Sequence, residues 1–234
     1  MTEGDLSISG KDGVFRGYFV PARETPAPGL VVLQEMYGIN AFMQHASRSF
    51  AAAGFSTLCP DLYWRQRPGV SLTDGSKEEL DQAFALFKAF DVNKGIEDIQ
   101  TTIDHLRGMK SCSGRVGAVG YCLGGLLAYL AICHTSADCA VGYYGVDFEN
   151  RLTEAAKMTR PLMLHIAEKD STMTPEAIRG QKEGLAGHPL VTIHSYPNQD
   201  HAFARVGTRY FKYDEAAASL ANGRTIEFLK RHLL

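Results

Sequence analysis

Residues 115–132 read Arg115-Val116-Gly117-Ala118-Val119-Gly120-Tyr121-Cys122-Leu123-Gly124-Gly125-Leu126-Leu127-Ala128-Tyr129-Leu130-Ala131-Ile132. Two patterns meet in this stretch. Residues 115–119 form a short valine-bearing run of strand character, and residues 123–132 are long and apolar enough for a buried helix. Between them lies Gly120-Tyr121-Cys122-Leu123-Gly124, the pattern of a nucleophile elbow with cysteine in the serine position. The chain must turn sharply there, which holds Cys122 in a strained conformation. The residues two before and two after it must be small so that strand and helix can approach, and both are glycine. The turn also sets the sulfur at a helix N-terminus. The helix dipole favours a thiolate there, and the Leu123 N–H can face a developing oxyanion.

Working outward, strands are expected at 5–9, 14–20, 30–33 and 55–59, with the proline-rich 21–28 as a loop. A helix at 41–53 ends at Gly54, and two more are expected at 77–90 and 92–107. After the elbow come strands at 140–144, 162–167 and 191–196 and helices at 175–185 and 214–232. From residue 30 on, strands alternate with helices, which predicts an α/β fold: a mostly parallel sheet with helices on both faces. Without repeats, low-complexity tracts or linkers, residues 1–234 are expected to form one domain. In such sheets ligands sit beyond the carboxyl ends of the strands.

The 234 residues are 45% hydrophobic and 21% charged, with a formal net charge of -2. That is ordinary for a globular protein, and no basic patch points to nucleic acid. No apolar stretch approaches the roughly 20 residues that span a bilayer, so no membrane partner is expected. The five cysteines are odd in number and scattered, without a C-x-x-C pair. They suggest neither a disulfide framework nor a zinc site. The expectation is a reduced, cytoplasmic protein, a monomer or weak dimer, acting on a small molecule.

An elbow calls for an acid and then a histidine, each after a later strand. Asp170 follows strand 162–167 and His201 follows strand 191–196. The imidazole would hold or relay the thiol proton, and Asp170 would orient it. Glu168 and Asp200 compete for the acid role. Glu168 immediately ends its strand, and Asp200 adjoins His201, which gives poor geometry for an orienting bond. The other four cysteines read as small buried hydrophobes. No pair among the other histidines has metal-ligand spacing, and His165 and His194 read as strand residues. Glu35 stands at the end of a wholly apolar strand, where an unpaired carboxylate is costly.

These residues, with Gln34-Glu35-Met36-Tyr37-Gly38-Ile39-Asn40, Pro60-Asp61-Leu62-Tyr63, Gly142-Tyr143-Tyr144-Gly145 and Asp200-His201-Ala202-Phe203, resemble the dienelactone hydrolases (carboxymethylenebutenolidases) of the α/β-hydrolase superfamily over nearly the whole chain. The resemblance implies that Cys122, His201, Asp170 and Glu35 are catalytic, Glu35 taking the thiol proton as substrate arrives. It implies an oxyanion hole from the Met36 and Leu123 N–H groups. It also implies substrate contacts from Arg205, Tyr37, Phe84, Phe87 and Tyr144, with Arg205 binding a substrate carboxylate through its bidentate fork. No cofactor and no metal are implied. Two positions depart from the family's prototype. Leu80 stands where a second substrate-binding arginine is expected, and Ala202 where a serine is. Arg65 or Arg67 is the candidate replacement for the lost cation.

The expected reaction is opening of a lactone through a thioester on Cys122. For a dienelactone the leaving group is an enolate, which needs little acid assistance. One rival keeps the machinery but makes the protein a broad carboxylesterase or thioesterase. Another is a non-catalytic relic of the fold, against which the intact Cys122, His201, Asp170 and Glu35 set argues.

Overall fold

A computed structural model describes residues 2–234. Strands β1 (Gly4–Gly10), β2 (Gly13–Val20), β3 (Ala27–Leu33), β4 (Ser56–Pro60), β5 (Cys112–Tyr121), β6 (Ala140–Tyr143), β7 (Leu162–Ala167) and β8 (Val191–Tyr196) make one sheet in the order β1-β2-β4-β3-β5-β6-β7-β8. β1, β2 and β4 pair antiparallel, and every pair from β4 through β8 is parallel. Six helices, α1 (Ala41–Ala52), α2 (Lys77–Lys88), α3 (Val92–Gly108), α4 (Leu123–His134), α5 (Pro175–Leu185) and α6 (Glu215–Leu233), lie between or after the strands.

β3 shows why the sheet is covered on both sides. All seven of its residues are buried. Successive side chains point to opposite faces. Val31 and Leu33 pack with Ile99, Ile103 and Leu127 of α3 and α4, while Leu30 and Val32 pack with Met43, Phe50 and Leu229 of α1 and α6. α4 has no polar face to expose: every residue from Leu123 to Cys133 is buried. Local caps set the other helices. Asn40 accepts from the Met43 N–H at the start of α1, and Ser76 from the Glu79 N–H at the start of α2, each satisfying an otherwise orphaned donor.

The elements match the sequence reading closely, with three differences. β3 and β5 each begin three residues earlier than expected. Their first residues sit in a bulged part of the ladder, where Ala27 faces Cys112 before the register shifts, and such irregular pairing leaves no clean periodicity in the sequence. β6 ends at Tyr143 because Tyr144 takes a positive φ of 36°. A 3₁₀ segment at Phe148–Lys157, kinked at Arg151, occupies a stretch that the sequence reading left without an element.

The tightest point is the elbow. A Cβ on Gly120 would lie 1.9 Å from the Gly124 carbonyl oxygen, and one on Gly124 would lie 2.3 Å from the Leu33 carbonyl oxygen. Both obstacles are backbone, which cannot rotate aside. Gly124→Ala is therefore expected to destabilise the fold by roughly 3 kcal/mol or more, at the upper end for overpacked sites. Thermal unfolding checks this; a melting temperature within about 2 °C of the unsubstituted protein would contradict the packing.

Candidate active site

Cys122 caps α4 with φ 56° and ψ −115°, a conformation strained for any residue but glycine. Its N–H donates to the Tyr143 carbonyl at 3.1 Å, which pins the turn to β6. No side chain caps α4. The Leu123 N–H at its first position and the Met36 N–H just past β3 have no protein acceptor among the described residues. Leu123 directly follows Cys122 and Met36 lines the same cleft, and two such free donors are what an oxyanion requires. The thiol is partly accessible, unlike Cys59, Cys133 and Cys139. Burial pushes the Cys133 thiol up to about 11 and the Cys139 thiol to about 12, which leaves both inert at neutral pH.

His201 and Asp170 come together as expected. His201 Nδ1 lies 2.7 Å from Asp170 Oδ2, and both side chains are buried. Asp170 Oδ1 is held by the Thr172 N–H at 3.0 Å and the Thr172 hydroxyl at 2.6 Å. The competing acids are occupied elsewhere. Asp200 accepts from the backbone N–H groups of Ser171 and of His201 itself, at 2.7 and 2.6 Å. Glu168 pairs with Lys182. The Tyr144 ring meets the imidazole edge-on with centroids 5.1 Å apart, and Phe211 packs on it at the same separation. Burial pulls the imidazole down, but negative charge at Cys122 and the bond to Asp170 outweigh it and push His201 up to about 10.

A second charged group sits across the cleft. Glu35 is 2% exposed and Arg205 is 3% exposed. Arg205 Nε approaches Glu35 Oε2 to 3.2 Å, yet neither atom makes a directed hydrogen bond there. Burial raises the Glu35 carboxyl above the usual range, against the opposing charges of Arg205 and His201. The terminal nitrogens of Arg205 face Asp74, Nη1 to Oδ2 and Nη2 to Oδ1, both at 3.5 Å. One face of the guanidinium stacks on Tyr37, 4.5 Å from the ring centroid. Asp74 also accepts from the Arg209 N–H at 2.8 Å and the Thr208 hydroxyl at 2.9 Å. Burial raises the Asp74 carboxyl, but these donors and the guanidinium more than reverse it, holding it below the ordinary carboxylate range.

These groups border a cleft of about 660 Å³. Cys122, His201, Glu35, Met36, Tyr37 and Arg205 line it, facing Leu80, Phe84 and Phe87 of α2. Tyr144, expected to touch substrate, is 2% exposed, packs beside the imidazole and is not among the residues lining the cleft. The expected replacement cation is also absent from the cleft. Arg65 pairs with Asp98 and Asp12 and stacks on Trp64, while Arg67 bonds Gln82. Sequence reasoning missed Thr172 and Asp74. Thr172 stands two residues after Asp170, a turn spacing that carries a signal. Asp74 is 131 residues from Arg205 and carries none. Among the described residues no three His, Cys, Asp or Glu side chains gather as metal ligands, and no helix is long and apolar enough to cross a membrane.

Comparison with known proteins fits this arrangement. A relative from Azospirillum brasilense is 44% identical, over 98% of this chain and 99% of its own. Carboxymethylenebutenolidase 1 of Cupriavidus pinatubonensis is 38% identical, over 98% of this chain and 97% of its own. The crystal structure of a dienelactone hydrolase from Anabaena variabilis superposes with a TM-score of 0.72 at 18% identity, covering 100% of this chain and 99% of that one. The model of the dienelactone hydrolase family matches residues 15–233. A match of that extent, on an eight-stranded sheet with a cysteine elbow at its center, means that the chain belongs to the dienelactone hydrolase family.

Proposed function

We propose that this protein hydrolyses a lactone or activated ester through a thioester on Cys122. The observation that carries the reading is Cys122 strained at the start of α4, beside an imidazole that Asp170 holds at 2.7 Å. Relatives named carboxymethylenebutenolidase, aligned over nearly the full chain, support it.

The chemistry follows from the groups present. The Cys122 thiolate attacks the acyl carbon, and the oxyanion rests on the Met36 and Leu123 N–H groups. Collapse breaks the acyl C–O bond. The departing enolate or alkoxide takes a proton from the His201 imidazolium, whose raised pKa keeps it protonated at neutral pH. The neutral imidazole then removes a proton from water, which attacks the thioester, and the thiolate leaves as the acid forms. In the thiolate–imidazolium pair the thiol proton already rests on His201, so Glu35, raised by burial, is suited to accept a proton only from a Cys122 thiol that has been reprotonated between turnovers. A free nucleophilic thiol also fits the reducing cytoplasm. Arg205 is the one guanidinium on the cleft wall among the described residues, and no lysine lines it, so a substrate carboxylate would seat there. The second reading is a broad carboxylesterase or thioesterase on the same residues. The apolar wall of Leu80, Phe84 and Phe87 favours it.

Hydrolysis of an enol lactone followed by absorbance tests the reaction. Turnover is expected for the unsubstituted protein and none for Cys122→Ala; equal rates in both would overturn the mechanism. Asp170→Asn is expected to lower kcat/KM by on the order of 10²–10⁴, since the imidazole loses its orienting charge. A fall of less than about threefold would remove Asp170 from the reaction.

The raised His201 pKa gives a direction with pH. The imidazolium partner of the thiolate is lost as pH rises through about 10. Because kcat/KM reports the free enzyme, it should hold across neutral and mildly alkaline pH and decline near pH 10. Initial rates with a base-stable ester check this, and an alkaline limb already complete by about pH 8 would contradict the ion pair.

A further inference from the structure

We propose that a recess between α1 and α6, on the side of the sheet away from α3 and α4, is a second ligand site. Its chemistry fits an uncharged single-ring aromatic molecule that carries a carbonyl or hydroxyl oxygen. The site does not depend on the reaction at Cys122.

The recess encloses about 220 Å³, against about 660 Å³ for the cleft, and the two have no lining residue in common. Pockets for drug-sized molecules start near roughly 300 Å³, so this one has room for one ring and not two. α1 supplies Phe42, Ala46 and Phe50, α6 supplies Ile226, and the loop before α6 supplies Tyr213. The Phe42 ring meets Tyr121 edge-on, with centroids 5.1 Å apart. An aromatic guest would extend that edge-to-face packing.

Two donors face this apolar lining. Tyr121 is 3% exposed and lines the recess but not the cleft. Its hydroxyl makes no hydrogen bond among the described residues. The Tyr63 and Tyr144 hydroxyls also lack partners but are sealed in; the Tyr121 hydroxyl is not, so what it leaves accessible opens on the recess. Burial pushes the Tyr121 phenol well up, which keeps it a donor at neutral pH. Asn222 has its Oδ1 taken by the Tyr143 hydroxyl at 3.0 Å, which leaves its amide nitrogen to donate. A guest therefore has to bring an acceptor oxygen. No lysine, arginine, aspartate or glutamate lines the recess, and His45 is exposed, so an ionised guest would lose its water without gaining a buried counter-charge.

Acetophenone is the probe: one ring, one carbonyl oxygen and no charge. Backbone amide shifts of the ¹⁵N-labelled protein are followed as it is added. Saturable binding with a Kd of about 1 mM is expected for so small a ligand, with the largest shifts on α1 and α6. Tyr121→Phe keeps the ring but removes the donor, and is expected to weaken binding about fivefold. Ser49→Trp, at an exposed lining position of α1, fills the recess and is expected to weaken binding by about tenfold or more. Benzoate, the same ring with a charge, is expected to bind about tenfold more weakly. Absence of saturation below about 20 mM overturns the proposal, and so does a Kd that Tyr121→Phe or Ser49→Trp leaves within about twofold. Shifts centred on α2 and weakened by Phe84→Ala would put acetophenone in the cleft and overturn it too. Equal affinity for benzoate removes the uncharged class. Should Tyr121→Phe fail to fold, Ser49→Trp decides.

Discussion

The backbone of α4 passes so near the end of β3 that the Leu33 carbonyl oxygen lies 2.3 Å from where a Gly124 side chain would begin. That approach is possible only with hydrogen at both flanking positions of the elbow, and much of the site hangs on it. It brings the first turn of α4, with its unpaired N–H groups, against the loop that carries Glu35 and Met36. Without it the two candidate oxyanion donors, from segments almost ninety residues apart in sequence, would not share a cleft. The strain at Cys122 is the local cost of the geometry. Burial of every α4 residue from Leu123 to Cys133 against β3, β5 and β6 is what overcomes it.

Much of this was legible in the sequence because it depends on local constraints. Small residues flanking Cys122, and an acid and a histidine each just past a strand, follow from the order of a parallel sheet. The same order explains why Glu35, Cys122, Asp170 and His201 all fall at carboxyl ends of strands. What stayed hidden is tertiary. Asp74 sits in Thr73-Asp74-Gly75, which reads as an ordinary turn, and nothing near it names Arg205 as partner. Arg65 and Arg67 were plausible cations by position, but Asp98 and Gln82, on helices packed behind them, hold them away from the cleft. Tyr144 packs among Tyr121, Tyr143, His201 and Phe203, contacts between distant segments that its own neighbours in sequence do not announce.

The charges of the cleft divide into two systems. Around Cys122 the imidazole is driven toward its protonated form, with Asp170 and Thr172 fixing one side of the ring. Around Arg205 two carboxylates share one guanidinium, and they settle differently. Asp74 collects backbone and hydroxyl donors and stays ionised, whereas Glu35 collects none and is raised by burial. The ionised Asp74 adds to that rise at Glu35. A carboxyl group raised by burial, in the same cleft as a thiol, has its proton affinity set by the residues behind it rather than by its own contacts.

His201 and Arg205 are four residues apart on one short loop, closed by the Arg205 N–H bond to the Ala202 carbonyl at 2.8 Å and turned by the positive φ of Ala202. The residues that face them from outside, Asp74 and the side chains of α2, come from a distant part of the chain. Cys122, Asp170 and His201 thus stand just past strands of one sheet, whereas part of the cleft wall facing them stands on α2, outside that sheet. Drift or recombination in residues 80–87 can reshape that wall while the strand ends carrying Cys122, Asp170 and His201 are inherited intact. A lineage built this way can diversify in what it consumes faster than in how it reacts.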